Sequence, residues 1–262
     1  MSRELVHIYG PLSINSYGFM IAIGLIVFLW LANKHPLRKQ TMSADAFTDV
    51  VLIGVLTATV AGRLLYIATE WHTIKHWTEI FNVWEGGFSL LGSTIGIMLF
   101  MPLYLAYRQL PILLCLDIIG LHAPLLIGIS RIGCFLAGCC YGASTTVPWA
   151  TMYTNSDSLA PLHIPIHPSQ LYSTGILIGA FFFLRYIYQR VSLLPGQAFM
   201  LCLMCIGIER FFIDFFRGDQ EFFTQPALAV LSIHQWLALG IIATACVAYS
   251  ILMRPYAYHV SS

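Results

Sequence analysis

Tyr17-Gly-Phe-Met-Ile-Ala-Ile-Gly-Leu-Ile-Val-Phe-Leu-Trp-Leu-Ala-Asn33 contains no Asp, Glu, Lys or Arg. A run of this length and character is a helix for lipid. A bilayer core of about 30 Å is crossed by roughly 20 apolar residues. In lipid a helix also satisfies its own backbone hydrogen bonds. The residues before it, MSRELVHIYG, lack the basic stretch of a cleavable leader, so the segment reads as retained.

Similar runs recur along the chain. They fall at about 13–33, 46–68, 87–107, 111–130, 170–188, 196–216 and 232–253. The composition agrees: 58% of the 262 residues are hydrophobic and only 10% are charged. The mean hydropathy is +0.76. A soluble domain has about 25% charged residues. A net charge of +1 excludes a nucleic-acid binder, and the apolar content excludes a disordered chain. The expectation is an all-α integral membrane protein, a bundle of about seven transmembrane helices in one polytopic domain over 1–262.

Lysine and arginine orient such a chain, because cytoplasmic loops are enriched in them. Lys34, Arg38, Lys39, Arg108, Arg185, Arg190 and Arg254 fall on one side, seven of the thirteen basic residues. The other side has Arg3 and Lys75. The N-terminus is therefore expected outside and the C-terminus in the cytoplasm. The two longest outer connections, about 69–86 and 131–169, are rich in Trp, Tyr, Gly and Pro and suit an interface.

Ionisable groups inside such spans cost about 2.5–3.5 kcal/mol each on insertion scales, so each needs a reason. Asp49, Arg63, Asp117, Arg131, Glu209, Arg210 and Asp214 are of this kind. Some can pair within the bundle, as Arg210 can with Asp214 four residues on. Arg131 and Arg210 lie toward the outer ends of their segments, at the level of lipid phosphates. Guanidinium groups bind phosphate through two parallel hydrogen bonds, which makes these two the leading candidates for function.

Three further stretches contain polar groups in an apolar setting. Trp84-Glu-Gly-Gly-Phe-Ser-Leu-Leu-Gly92 opens the third span with small residues that permit close approach. His167-Pro-Ser-Gln-Leu-Tyr172 opens the fifth, with Pro168 suited to a first helical turn. Arg131-Ile-Gly-Cys-Phe-Leu-Ala-Gly-Cys-Cys-Tyr-Gly142 contains Cys134, Cys139 and Cys140. With His163 or His167 these cysteines could be arranged as a zinc site, but their spacing fits no standard pair of ligand knuckles. A thiol nucleophile would need a base and an orienting partner that the sequence does not display. The expectation is therefore packing at a glycine-rich junction, with a disulfide at Cys139 or Cys140 as an alternative, and neither metal nor cofactor. Cys115, Cys202, Cys205 and Cys246 lie inside spans as packing residues.

In order and placement these pieces resemble the bacterial prolipoprotein diacylglyceryl transferases. The resemblance runs from Ser16-Tyr17-Gly18 through Gly62-Arg63, the Trp84–Gly92 stretch, Asp117 and Arg131-Ile-Gly133. It continues through His167–Tyr172, Pro195-Gly196 and Arg210-Phe-Phe-Ile-Asp-Phe-Phe-Arg217 to Ser232-Ile-His-Gln235. It implies transfer of the diacylglyceryl group of phosphatidylglycerol to the lipobox cysteine of a preprolipoprotein, with glycerol phosphate leaving, in the bacterial cytoplasmic (inner) membrane. It implies Arg131 and Arg210 as catalytic arginines on the phosphate, and Tyr17, Arg63, Ser89, His167, Gln170 and Arg217 as substrate-binding residues. The chain departs from the family where Leu91 replaces a histidine proposed as the base, and where Cys134, Ala137 and Cys139 replace two asparagines and a glutamate. Ile206 replaces a tyrosine, and Glu209 an aromatic. Glu209, Glu85 and His167 then become candidate bases, with Glu209 foremost. A relative using the same donor on another acceptor, or a non-catalytic lipid-binding or transport protein, are the competing readings.

Overall fold

The computed structural model describes residues 4–9, 12–73, 87–220, 222 and 230–260. The apolar segments are helical, and their boundaries follow local chemistry. A hairpin of β1 (Glu4–Tyr9) and β2 (Leu12–Asn15) leads into α1 (Ser16–Lys34). A short helix unforeseen in the sequence, α2 (Pro36–Thr41), starts where proline is tolerated, and His35 Nδ1 accepts from Leu37 N–H at 3.3 Å. Next come α3 (Ala44–Thr69), capped by Ser43, and α4 (Leu90–Tyr107), capped by Ser89. They are followed by α5 (Ile112–Ala137), α6 (Ser169–Arg190), α7 (Gln197–Asp214) and α8 (Ile233–Val260). Between α5 and α6, β3 (Thr151–Met152) pairs antiparallel with β4 (Pro165–Ile166).

Among the described residues, five helices are long and apolar enough to cross a bilayer: α1, α3, α5, α6 and the first twenty residues of α8. The apolar helix α4 is shorter, and α7 carries Glu209, Arg210 and Asp214. One boundary needs correction. The fourth segment was expected to end near residue 130, but α5 continues to Ala137. Arg131 and Cys134 therefore lie on the last turns of a helix rather than in a loop. Ile132, Phe135 and Leu136 extend the apolar pattern past the arginine.

The chain divides into two compact units, residues 33–115 and residues 1–32 with 116–262. In the first unit, α3 and α4 pack through missing side chains. A Cβ on Gly92 would lie 2.6 Å from the Ala61 carbonyl, and one on Gly96 would overlap the Ala61 methyl. This small-xxx-small spacing lets two backbones approach closely. Ser93 Oγ then donates to the Ala58 carbonyl across the seam at 2.7 Å. Val50, Met101, Leu105 and Cys115 form the buried cluster of this unit.

In the second unit Asp117 joins α5 to α7. Its carboxylate accepts from the backbone N–H of Gly196 at 2.7 Å and of Phe199 at 2.9 Å. These are among the free amide groups at the start of α7, where the helix dipole favours a negative charge. This acid is scaffold. Nearby, His122 is buried between Phe28 and Phe181 and contacts the Ile118 carbonyl at 2.8 Å.

Candidate functional site

The site begins at the C-terminus of α5. Gly138 follows the helix with φ 80°, and its N–H donates to the Cys134 carbonyl at 2.9 Å, a left-handed helix cap. Cys140 also has a left-handed backbone, φ 55°, which is uncommon for a residue with a side chain. These two bends fold the chain back over the last turn of α5. The sulfurs of Cys134, Cys139 and Cys140 consequently lie within 4.8 Å of one another.

Hydrogen bonds fix this turn against the neighbouring helices. Ser169 Oγ donates to the Cys140 carbonyl at 3.0 Å, and Gln170 Nε2 to the Cys139 carbonyl at 2.8 Å. Gly218 N–H donates to the Tyr141 carbonyl at 3.0 Å, and Ala143 N–H to the Phe216 carbonyl at 2.8 Å. The start of α6, the end of α7 and the cysteine turn are thereby brought together.

They form a small cleft lined by Arg131, Cys140, Ser169, Gln170, Ser173, Arg210, Ile213 and Arg217. Three guanidinium groups face one small space. Arg210 is paired with Asp214 at 3.7 Å. Arg217 lies 4.0 Å from the same carboxylate, and it donates to both oxygens of Asp219 at 2.7 and 2.6 Å. Arg131 differs: its Nε is buried and has no hydrogen-bond partner among the described residues. A buried donor left unpaired costs about 1–3 kcal/mol, more when it is charged, and an arriving anion removes that cost.

The thiols differ in acidity. The neighbouring Cys134 and Cys139 thiols, and then the positive charge of Arg217 and Arg131, hold the Cys140 thiol below the ordinary thiol range. The same cluster and burial push the Cys139 thiol up, through its neighbours Cys134 and Cys140, and its Sγ donates to the Cys134 carbonyl at 3.8 Å. All seven cysteines are free, so the disulfide considered for Cys139 or Cys140 is absent.

Of the residues singled out in the sequence, Arg131, Arg210, Arg217 and Gln170 line the cleft. Glu209 does not. It is buried one layer behind and accepts a hydrogen bond from Ser173, whose side chain does line the cleft. Tyr17 is within electrostatic reach of Arg131 and the three cysteines. His167 is not among the lining residues. Its Nδ1 is 3.3 Å from the Tyr172 hydroxyl, and its ring sits edge-on to Phe216. Arg63 and Ser89 belong to the other unit. There Arg63 donates to the Gly87 carbonyl at 2.8 Å and lies over Tyr66 and Phe88, while Ser89 caps α4. Glu85, with Trp84, lies outside the described residues.

Ser169, Ser173 and Cys140 were missed as lining residues. The signal for two of them was present in the sequence. Ser169, Gln170, Ser173 and Thr174 repeat at helical spacing and form one buried polar face of an otherwise apolar helix.

Apolar helices around a guanidinium-lined cleft define an integral membrane protein that handles an anionic group, and phosphate is the anion that membrane lipids supply. Residues 3–251 match the model of the prolipoprotein diacylglyceryl transferase family. The chain is 34% identical to a phosphatidylglycerol–prolipoprotein diacylglyceryl transferase of Clostridium tetani, over 91% of this chain and 93% of that one. It is 32% identical to the enzyme of that name from Bordetella bronchiseptica, over 94% of each chain. For the Nitrosospira multiformis protein the identity is 31%, over 97% of this chain and 86% of that one. The chain belongs to the prolipoprotein diacylglyceryl transferase family.

Proposed function

We propose that this protein transfers the diacylglyceryl group of phosphatidylglycerol to the lipobox cysteine thiol of preprolipoproteins, forming a thioether and releasing glycerol phosphate. The observation that carries the reading is the cleft with three arginines, of which Arg131 has a buried, unpaired Nε. The donor phosphodiester has one negative charge. A second develops on the leaving phosphate as the glyceryl carbon–oxygen bond breaks. Fixed guanidinium groups stabilise that developing charge more than the ground state, which is the condition for raising the rate.

In this mechanism Arg131 and Arg210 hold the phosphate, and Arg217 adds charge while Asp219 fixes its fork. Tyr17, Gln170, His167, Arg63 and Ser89 contribute to substrate binding. Glu209 receives the acceptor's proton through the Ser173 hydroxyl, which relays it from the cleft wall. The distribution of basic residues supports seven spans with the N-terminus outside, in the bacterial cytoplasmic membrane, so that the chemistry occurs toward the outer face.

The test uses purified protein, phosphatidylglycerol labelled in its diacylglyceryl part, and a lipobox peptide. Label is expected on the cysteine peptide and not on the same peptide with serine. Failure to label the cysteine peptide would reject the reading.

A further inference from the structure

Three of the family's polar positions in this chain are non-polar or sulfur-bearing, and two of them are Cys134 and Cys139. Together with Cys140 they bring three thiols within 4.8 Å of one another. A sulfur cluster meant only to fill space needs neither a left-handed cysteine nor two side-chain clamps. Yet Cys140 holds φ 55°, and Ser169 and Gln170 fix the carbonyls of Cys140 and Cys139. Strained backbone that its surroundings hold in place is concentrated at functional sites.

The dimensions fit a tetrahedral thiophilic ion. Zinc–sulfur bonds of about 2.3 Å place tetrahedral sulfur ligands about 3.8 Å apart. Here the three sulfurs lie within 4.8 Å of one another, so small side-chain rotations close the set. The charge also fits. Three thiolates and one divalent cation carry a net negative charge, and Cys140 shares its cleft with Arg131 and Arg217, where a bare cation would be repelled. Three protein ligands leave one position open, the arrangement of catalytic rather than structural zinc sites. Cys140 lines the cleft, so the open position can face the space where the phosphate is held.

We propose that Cys134, Cys139 and Cys140 bind one thiophilic divalent cation of the zinc class, whose fourth position takes the acceptor thiol. The role of the fourth position rests on the transfer reading above. The metal holds the acceptor sulfur as a thiolate, which meets the need created by Leu91 standing where the family has a histidine. The thiol proton passes to the Ser173 hydroxyl as that hydroxyl's own proton passes to Glu209. The sulfur electron pair then forms the carbon–sulfur bond to the glyceryl group. The carbon–oxygen bond breaks, and its electron pair leaves with glycerol phosphate.

The experiment purifies the full-length protein in detergent under reducing conditions without chelators, counts zinc per chain, and exchanges zinc for cobalt(II). About one zinc per chain is expected. The cobalt form should show thiolate-to-cobalt charge-transfer absorption that changes on adding a lipobox peptide but not its serine analogue. Cys134→Ser, Cys139→Ser and Cys140→Ser should each weaken binding by more than the ~10–100-fold seen when only an outer partner of a ligand is disturbed. Cys246→Ser, exposed on α8, should not. Should the serine variants fail to fold, the wild type suffices: bound zinc should protect the three cysteines from alkylation. Absence of stoichiometric zinc or cobalt in the wild type, or a cobalt spectrum indifferent to the thiol peptide, would overturn the proposal. Full transfer by metal-free protein would overturn it while leaving the transfer reading intact. Zinc held by the three thiols, with a spectral response to the peptide but no lipid transfer, would support the site and reject the transfer reading instead.

Discussion

The two ends of α5 each place an ionisable group in an apolar helix, and they solve the problem differently. Near the start, Asp117 is satisfied by the chain itself, accepting from Gly196 and Phe199 at the N-terminus of α7. Near the end, Arg131 keeps a buried Nε with no partner among the described residues and opens into a cleft shared with Arg210 and Arg217. Both residues carry the same cost in lipid. The contrast shows that a charge in a span is not by itself a sign of chemistry. What distinguishes scaffold from site is whether the protein completes the hydrogen bonds or leaves them for a ligand.

Replacing the arginines attacks the open end of the comparison. Lysine keeps the charge but loses the planar fork. Arg131→Lys and Arg210→Lys should each lower turnover by about 10²–10³-fold, as removal of one donor from a preorganised anion site does. A labelled-lipid transfer assay measures this, with unfolding monitored in parallel to show that the helices persist. Near-normal turnover in both variants would erase the distinction between the two ends of α5.

Glu209→Gln sharpens it. Glutamine preserves shape and can still accept from Ser173, but it cannot take a proton. A loss of about 10²-fold is expected, toward the lower end of what general-base help contributes. Unchanged turnover would leave Glu209 as a counter-charge for Arg131 and nothing more.

Asp117→Asn tests the closed end. The cap on α7 weakens, and caps are worth about 0.5–2 kcal/mol. Detergent-unfolding measurements should therefore show lower stability, whereas turnover per folded molecule stays near wild type. A selective loss of turnover at unchanged stability would mean that Asp117 belongs to the chemistry. The smallest effect is expected from Arg185→Lys. Arg185 is exposed and lies about 24 Å along α6 from Ser169, at 1.5 Å per residue. Its transfer rate should match wild type.

Much of this architecture could be read from the sequence because lipid imposes a simple rule. Long apolar runs had to become helices, and the segments from Tyr17 onward did. The pairing of Arg210 with Asp214 followed from helical spacing alone, and it is present. What escaped the sequence depended on contacts between distant residues or on backbone turns. The role of Asp117 is set by amides 79 and 82 residues away. The end of α5 was placed too early, because an arginine in lipid looks like a boundary until the apolar residues after it are credited. The cysteine cluster was weighed in the sequence and set aside, because its sulfurs meet only after two left-handed residues reverse the chain at a helix cap. Cys134, Cys139 and Cys140 match no familiar ligand spacing, yet they converge. Ser173 was missed for a simpler reason: the polar stretch that drew notice ended at Tyr172, while the helical face continued through Ser173 and Thr174.

The most direct test of the claim that Arg131 is held open for phosphate is product inhibition. Glycerol phosphate carries the charge that the cleft is proposed to stabilise, without the acyl chains that would bind elsewhere. Its inhibition constant should be measured for the wild type, Arg131→Lys and Asp117→Asn in the same transfer assay. Hydrogen bonds to charged groups contribute about 1.5–3 kcal/mol, so Arg131→Lys should weaken inhibition by about tenfold or more. Asp117→Asn should inhibit like wild type. Equal inhibition constants in the wild type and Arg131→Lys would contradict the claim that the Arg131 guanidinium, with its unpaired Nε, holds the phosphate.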